Sequence, residues 1–355
     1  MSRFLSDRFA TLTPYTPGEQ PRDQQYIKLN TNESPFPPSP RVLSAVNSDE
    51  VKKLNLYPDP TASELVKKLA EHYGVEKKNV FVSNGSDDIL NFSFMAFCDK
   101  KNGAVFPEIS YGFYEVYAHL CGIEYKKIPL KSDFSIDPAD YYNADGMVVI
   151  ANPNAPTGLV LTLAQIEEIV KSNPDRVVLI DEAYVDVGAE SAVALTKKYE
   201  NLLVVQTYSK SRSLAGARLG FAIANESLIA DLNTIKFSTN PYDINRLTQV
   251  AGIAALEDAD YYKECNKNTA EIREYTKTEL KKRGFEMTDS LANFIFVRSD
   301  KIKGWDYYFS LKNEGVLVRH FSSDKTKDYV RITIGTKEQM DALLVATDKI
   351  LGGLK

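Results

Sequence analysis

The sequence predicts an α/β protein: a large domain built on a mainly parallel sheet with helices on both faces, and a smaller α+β domain after it. Five runs, 103–106, 147–150, 177–180, 202–205 and 219–223, are continuously apolar rather than alternating, as strands covered on both faces must be. Helical stretches lie between several of them, the order that builds parallel sheets. Beyond about residue 240 the pattern changes to a long helical region rich in Ala, Glu and Lys, followed by shorter strands. The expected division is an arm over 1–40, a large domain over 41–240, and a small C-terminal domain over 241–355 that part of the arm joins.

The bulk numbers suit this reading. A chain of 355 residues buries a large core and by length suggests about two domains. Charged residues at 26% and hydrophobic ones at 43% are ordinary for a soluble protein. The net charge of −5, with no basic run, argues against a nucleic-acid partner. Cys98, Cys121 and Cys265 are odd in number and far apart, neither a disulfide framework nor a zinc pattern, so a reducing cytoplasm is expected. Met1 to Asp7 has no long apolar signal region and no run reaches membrane-spanning length.

In chain order, the arm holds Pro14, Pro17, Pro21, Pro35, Pro37, Pro38 and Pro40, which favours extended backbone. It reads either as a segment packing on another subunit or as a disordered tail. After a second turn-rich passage through Tyr57-Pro58-Asp59-Pro60, Thr61 and Glu64 have capping-box spacing for a helix faced by Leu65, Leu69 and Tyr73. A strand over 79–83 leads through Gly85 into a helix at Ser86-Asp87, apolar nearly all round through Phe97 and so expected to be buried. The 162–172 stretch is helical, with Leu163, Ile166, Ile169 and Val170 on one face. One long helical region is expected over 245–283, strands over 294–297, 316–319 and 329–334, and a helix over 337–351.

Chemistry-bearing residues gather where the strands end. Thr207-Tyr208-Ser209-Lys210 follows the 202–205 run, and Arg218 stands eight residues beyond Lys210. A lysine kept reactive by desolvation forms Schiff bases with carbonyls, while Thr207, Ser209 and Arg218 are residue types that hold a phosphate. Pyridoxal phosphate, an aldehyde carrying a phosphate, meets both needs. Asp181 ends the 177–180 strand with Tyr184 one turn on; a buried carboxylate needs a cation, and a protonated pyridine nitrogen is one. The amides after Gly85 offer an anion a helix N-terminus. Asn152 to Gly158 forms a rigid polar turn, and Tyr111 offers a ring that could stack on another.

With these motifs in place, the chain resembles a fold-type-I pyridoxal-phosphate aminotransferase, and within that group the histidinol-phosphate aminotransferase family. The likeness spans nearly the whole length: Leu12-Thr13-Pro14-Tyr15, Lys28 to Pro35, Tyr57-Pro58-Asp59, Gly85-Ser86-Asp87, Asn152 to Gly158, Asp181 to Tyr184, Ser209-Lys210 and Arg331 to Gly335. The resemblance implies that Lys210 forms the Schiff base and shuttles the proton, that Asp181 pairs with the pyridine nitrogen, that Tyr184 bonds the ring's 3-oxygen, and that Tyr111 stacks on the ring. The Ser86 and Asp87 amides, Thr207, Ser209 and Arg218 would hold the phosphate, with Tyr57 reaching it from the partner subunit of a homodimer. Arg319 and Arg331 would bind the anionic end of the substrate, with Tyr15 from the other subunit's arm. One position departs from the family pattern: the asparagine expected immediately before Pro-Thr-Gly is Ala155 here, so Asn154 is the candidate for that ring contact.

The implied reaction is an amino transfer of histidine biosynthesis in two ping-pong half-reactions, with histidinol phosphate and glutamate as the amine pair and 2-oxoglutarate as the oxo-acid partner. Rival readings are an aromatic-amino-acid aminotransferase, a decarboxylase of the threonine-phosphate type, and a non-catalytic pyridoxal-phosphate sensor. His72 and His119 read as helix residues and His320 as a neighbour of Arg319; no metal cluster or Ser-His-Asp triad can be assigned.

Overall fold

The computed structural model describes residues 4–6, 9 and 11–354. Positions 1–3, 7, 8 and 10 of the expected arm, and 355 of the expected small domain, lie outside the described residues. The arm carries a short strand, β1 (Ile27–Lys28), and the helices α1 (Pro40–Ala45) and α2 (Ser48–Val51) follow it. Next come α3 (Ser63–Tyr73), β2 (Val80–Ser83), α4 (Ser86–Phe97), β3 (Gly103–Pro107), α5 (Phe113–Cys121) and β4 (Tyr125–Ile128). The chain continues with β5 (Gly146–Ala151), α6 (Leu163–Ser172), β6 (Val178–Asp181), β7 (Leu202–Thr207), β8 (Gly220–Ala224) and α7 (Glu226–Thr239).

These strands make one seven-stranded sheet in the order β2-β8-β7-β6-β5-β3-β4. Neighbours pair parallel from β4 to β7, and β8 runs antiparallel between β7 and β2. Strand order reverses direction between β3 and β5, which opens a crevice beyond the carboxyl ends of the strands. Alternation along each strand feeds two apolar layers. Val148, Ile150, Val178, Ile180, Leu202 and Val204 pack with α3, α6 and α8 (Arg246–Glu257) on one face. Met147, Val149, Leu179, Leu203 and Val205 pack with α4, α5 and α7 on the other. Burying side chains of this size contributes roughly 1.5–3 kcal/mol each.

A second sheet, β12-β13-β10-β9, is made of β9 (Phe285–Met287), β10 (Phe294–Ser299), β12 (Arg319–His320) and β13 (Val330–Thr333). It packs with α9 (Ala259–Lys282), α10 (Gly304–Asn313) and α11 (Lys337–Gly352) around Ile295, Val297, Leu311, Ile332, Met340 and Leu343. β1 pairs parallel with β11 (Val316–Leu317), and Leu29 sits in this same core.

Several expectations are corrected. The 245–283 region is two helices, α8 and α9, broken at Asp258, where the backbone leaves helical geometry (φ −120°, ψ 36°). The Thr61 capping box does not form: Asp59 instead accepts from the Thr61 and Ser63 amides and hydroxyls, holding its carboxyl well below the usual range. The arm is not a free tail: Ile27 and Leu29 donate to the Gly315 and Leu317 carbonyls, and Asn30 to the Glu19 carbonyl. Among the described residues, no helix is long and apolar enough to cross a membrane.

Candidate active site

The turns after β3, β5, β6 and β7 and the start of α4 enclose a cavity with an empty volume of about 570 Å³. Asp181, Tyr184, Lys210 and Tyr111 all line it, together with Ser86, Asp87, Thr207, Ser209 and Arg218. These residues lie up to 132 positions apart in sequence, from 86 to 218, and the parallel strands bring them to one edge.

Asp181 is the last residue of β6 and is buried. Tyr114 on α5 donates to its Oδ2 at 2.7 Å, while Oδ1 has no hydrogen-bond partner among the described residues. Burial raises its carboxyl to about 6, against the lowering pull of the Tyr114 bond. A buried acceptor left open in this way costs about 1–3 kcal/mol, so the site favours a donor, above all a cationic one. Lys210 lies in the same cavity. Its Nζ donates to the Thr31 carbonyl at 3.0 Å and sits 5.9 Å from the centre of the Tyr184 ring. Burial first, and then the Arg331 charge, lower the amine to about 8. A useful share of it is therefore neutral, and so nucleophilic, near pH 7.

One end of the cavity is built for an anion. Gly85 (φ 86°) turns the chain into α4, leaving the Ser86 and Asp87 amides at the helix N-terminus. A Cβ on Gly85 would lie 2.6 Å from Arg218 Nη2, and one on Gly220 would lie 2.3 Å from the Ser86 nitrogen. Both glycines thus let the guanidinium and the helix start close on one space. Arg218 is held in left-handed backbone (φ 55°), donating to Asp87 at 2.8 Å and to Ser209 at 3.4 Å. Non-glycine residues adopt that geometry at a cost and cluster at functional sites.

Tyr111 donates to Asp87 at 2.8 Å and turns its ring edge toward Tyr15, 6.1 Å away. Tyr15 stacks on Phe113 at 4.3 Å. The expectation that Tyr15 comes from another subunit is therefore corrected: the arm carries it into the site of its own chain. Asn154 is corrected too. Its amide donates to the Ile109 carbonyl and to Thr157, and its oxygen accepts from Ser110. With its hydrogen bonds spent on the turn, it leaves the Ala155 methyl to line the cavity. Tyr57 is 78% exposed and stacks on Tyr242 rather than entering this cavity.

Arg319 and Arg331 are direct cross-strand partners on β12 and β13. Like charges placed opposite each other are unfavourable without an anion between them. Arg331 donates to the Asn30 carbonyl and leaves its Nε buried without a partner among the described residues; burial lowers its pKa. Arg319, more open, is held by the Thr16 and Pro17 carbonyls. Both guanidinium charges act on Tyr15.

Some residues behind the site escape sequence reasoning. Glu182, Gln206, Tyr73 and Arg212 lie on the opposite face of the sheet from Asp181 and Thr207. Glu182 accepts from Ser191, the Ala192 amide and Gln206; Tyr73 donates to Gln206 and accepts from Arg212. The only advance signal is polar residues placed one position out of step with the cavity residues at the ends of apolar strands.

A buried carboxylate, a desolvated lysine, an anion cradle and an arginine pair around one crevice describe an aminotransferase. The chain belongs to the aminotransferase class I and II family, whose model matches residues 24–346. Within it, the chain is a member of the histidinol-phosphate aminotransferases. It is 55% identical over 342 residues to the histidinol-phosphate aminotransferase of Brachyspira hyodysenteriae, covering 96% of this chain and 97% of that one. The crystal structure of the Clostridium acetobutylicum histidinol-phosphate aminotransferase superposes with a TM-score of 0.85 at 25% identity, covering 92% and 99% of the two chains. The Sinorhizobium meliloti enzyme, solved in complex with pyridoxal-5'-phosphate, shares the fold at a TM-score of 0.84 and 23% identity, over 92% and 91%. That membership disfavours the aromatic-substrate, decarboxylase and sensor alternatives.

Proposed function

We propose that this protein is a cytoplasmic homodimer that moves an amino group between histidinol phosphate and 2-oxoglutarate, in histidine biosynthesis, with pyridoxal phosphate as cofactor. The observation that carries the reading is the pairing, in one cavity, of the Lys210 amine with the open Oδ1 of buried Asp181. The residues fit the cofactor: the orphaned oxygen matches a protonated ring nitrogen, and the cradle of Ser86 and Asp87 amides, Thr207, Ser209 and Arg218 matches its phosphate. Bound there, pyridoxal phosphate supplies a carbonyl carbon for the amine and a ring that accepts the electrons freed at the substrate carbon.

The chain's own residues do the rest. Lys210, its amine lowered to about 8, takes the proton from the substrate carbon and returns it, as general base and then general acid. Asp181 keeps a proton opposite its Oδ1, since ionic pairing offsets the cost of its burial. Tyr184 donates toward the ring's 3-oxygen, and the Tyr111 ring lines the cavity wall. Arg331, with Arg319, grips the anionic end of the substrate, under Tyr15. Exposed Tyr57 is available to reach the anion cradle of a partner subunit.

The test is a spectrum and a turnover. Protein loaded with pyridoxal phosphate should show a visible absorption band that Lys210→Ala abolishes and glutamate bleaches. Histidinol phosphate should then be turned over at least tenfold more efficiently than phenylalanine. A wild-type protein without the band, or one that prefers phenylalanine, overturns the reading.

A further inference from the structure

Asn32 has no role in the chemistry described so far, yet it touches Tyr184. It is buried, with the left-handed backbone (φ 57°) that asparagine tolerates better than most residues. Its backbone amide donates to Thr333 Oγ1 at 3.0 Å. That hydroxyl has a single proton, and it goes to Asn32 Oδ1, also at 3.0 Å. The amide orientation follows: Oδ1 must face Thr333, which turns Nδ2 toward Tyr184, where it donates to the phenol oxygen at 3.1 Å. The Asn32 carbonyl is fixed in turn by Asn293. A phenol that already accepts from Asn32 has its own proton left to give, and Tyr184 lines the cavity beside Lys210. Asn154 is committed elsewhere and Ala155 brings a methyl, so this phenol is the donor left of the two expected there.

We infer that Asn32 is a positioning residue: through Thr333 it orients the Tyr184 hydroxyl so that its proton is given to the ring oxygen of the cofactor. The inference rests on the cofactor reading above. It also ties cofactor electronics to the substrate side, because Thr333 lies two residues beyond Arg331 on β13 and so on the same face. The arm thus carries more than Tyr15 into the site: Thr31 meets Lys210, and the next residue meets Tyr184.

A donor aimed at an anionic oxygen is worth more once the neighbouring cation has lost its proton. Removing it therefore raises the pH midpoint at which the visible band changes. The experiment titrates that band in wild type, Asn32→Gly, Tyr184→Phe and the double variant; glycine accepts the left-handed backbone and adds no charge. Asn32→Gly should raise the midpoint by about 0.5–1 unit, the part of one charge-assisted bond that distinguishes the two protonation states. Tyr184→Phe should raise it at least as far, and the double variant should match Tyr184→Phe alone. Thr333→Val, which frees the amide to turn over, should shift the midpoint in the same direction and gives the same comparison should Asn32→Gly not fold. An unchanged midpoint in both Asn32→Gly and Thr333→Val, or a double variant shifted beyond Tyr184→Phe, overturns the inference while leaving the cofactor assignment standing. A wild-type protein with no band overturns the cofactor assignment, and this inference with it.

Discussion

Asp181 and Glu182 are adjacent carboxylates at the end of one buried strand, and both are pushed up by burial, to about 6 and about 7. They point to opposite faces of the sheet and are treated differently there. Glu182 accepts from Ser191, the Ala192 amide and Gln206; Asp181 accepts from Tyr114 on one oxygen and leaves the other open to the cavity. A fold loses stability by leaving a buried acceptor open, so the open one marks where a ligand completes the structure. The closed side fixes the strand ends relative to one another. The cavity side is the one proposed to bind and react.

The cavity side should therefore respond to substitution through chemistry and ligand affinity, and most strongly at the amine. On the proposed mechanism Lys210→Ala removes nucleophile and proton carrier together and should lower turnover by roughly 10⁴-fold or more, measured in single-turnover assays, with little change in urea midpoint. A variant retaining more than a tenth of wild-type turnover would place the chemistry elsewhere.

Asp181→Asn comes next. Breaking a buried ionic pair costs about 3–5 kcal/mol, so cofactor affinity should fall roughly 10²- to 10⁴-fold, read by fluorescence titration. The apo protein carries a second signature. Its folded carboxyl holds a proton up to about pH 6, against an ordinary value of 3.8. Between those values the folded state binds more protons than the unfolded one, so stability falls as pH rises through the window, by on the order of 3 kcal/mol in all. Melting curves of apo Asp181→Asn should lose that share of the decline and keep the part that Glu182 contributes between about 4.5 and 7, while Glu182→Gln should keep the Asp181 share.

The arginine pair divides in the same way. Arg331→Met should raise the KM for histidinol phosphate by roughly 10- to 100-fold with a smaller change in kcat, the value of one charge-assisted bond made in ground and transition state alike. It also removes a cation that holds the Lys210 amine down, so that amine should titrate at higher pH. Arg319→Met, more open and braced by the Thr16 and Pro17 carbonyls, should cost less. Equal losses at the two positions would refute the division.

What the sequence discloses follows from the same asymmetry. Strands buried on both faces read as apolar runs, so the polar residues closing them, Asp181, Thr207 and Lys210, stand out. The edge strand β4 does not: in Tyr125-Lys126-Lys127-Ile128 both lysines are exposed, and a solvated edge carries no apolar run. The α7 helix escaped because its apolar residues form a weak stripe between polar ones. The Asn32 to Thr333 bond spans 301 positions and the Asn32 to Tyr184 bond 152. No local pattern encodes pairings that only tertiary packing creates. Tyr15 was legible as a site residue but not as one from its own chain, because the motif is silent on where the arm runs.

Glu182→Gln should have the smallest effect, and it separates the two sides most cleanly. The amide keeps one acceptor oxygen but puts an NH₂ where a donor already points, which costs about 1–3 kcal/mol. It also removes a charge whose pKa burial holds near 7. Because that folded pKa lies above the ordinary 4.5, the charge penalises the folded state as pH rises from about 4.5 to 7 and at every pH above. The two changes oppose each other at pH 8, where relief of the charge, on the order of 3 kcal/mol, offsets the lost acceptor or more; at pH 5, where the wild-type group is mostly protonated and the relief is small, the variant should be the less stable in urea unfolding. Turnover and cofactor affinity should stay within about threefold of wild type, since no bond to the cavity changes. A collapse of turnover at unchanged stability would mean that the reverse face of the sheet takes part in the reaction, and the contrast between these two neighbouring carboxylates would fail.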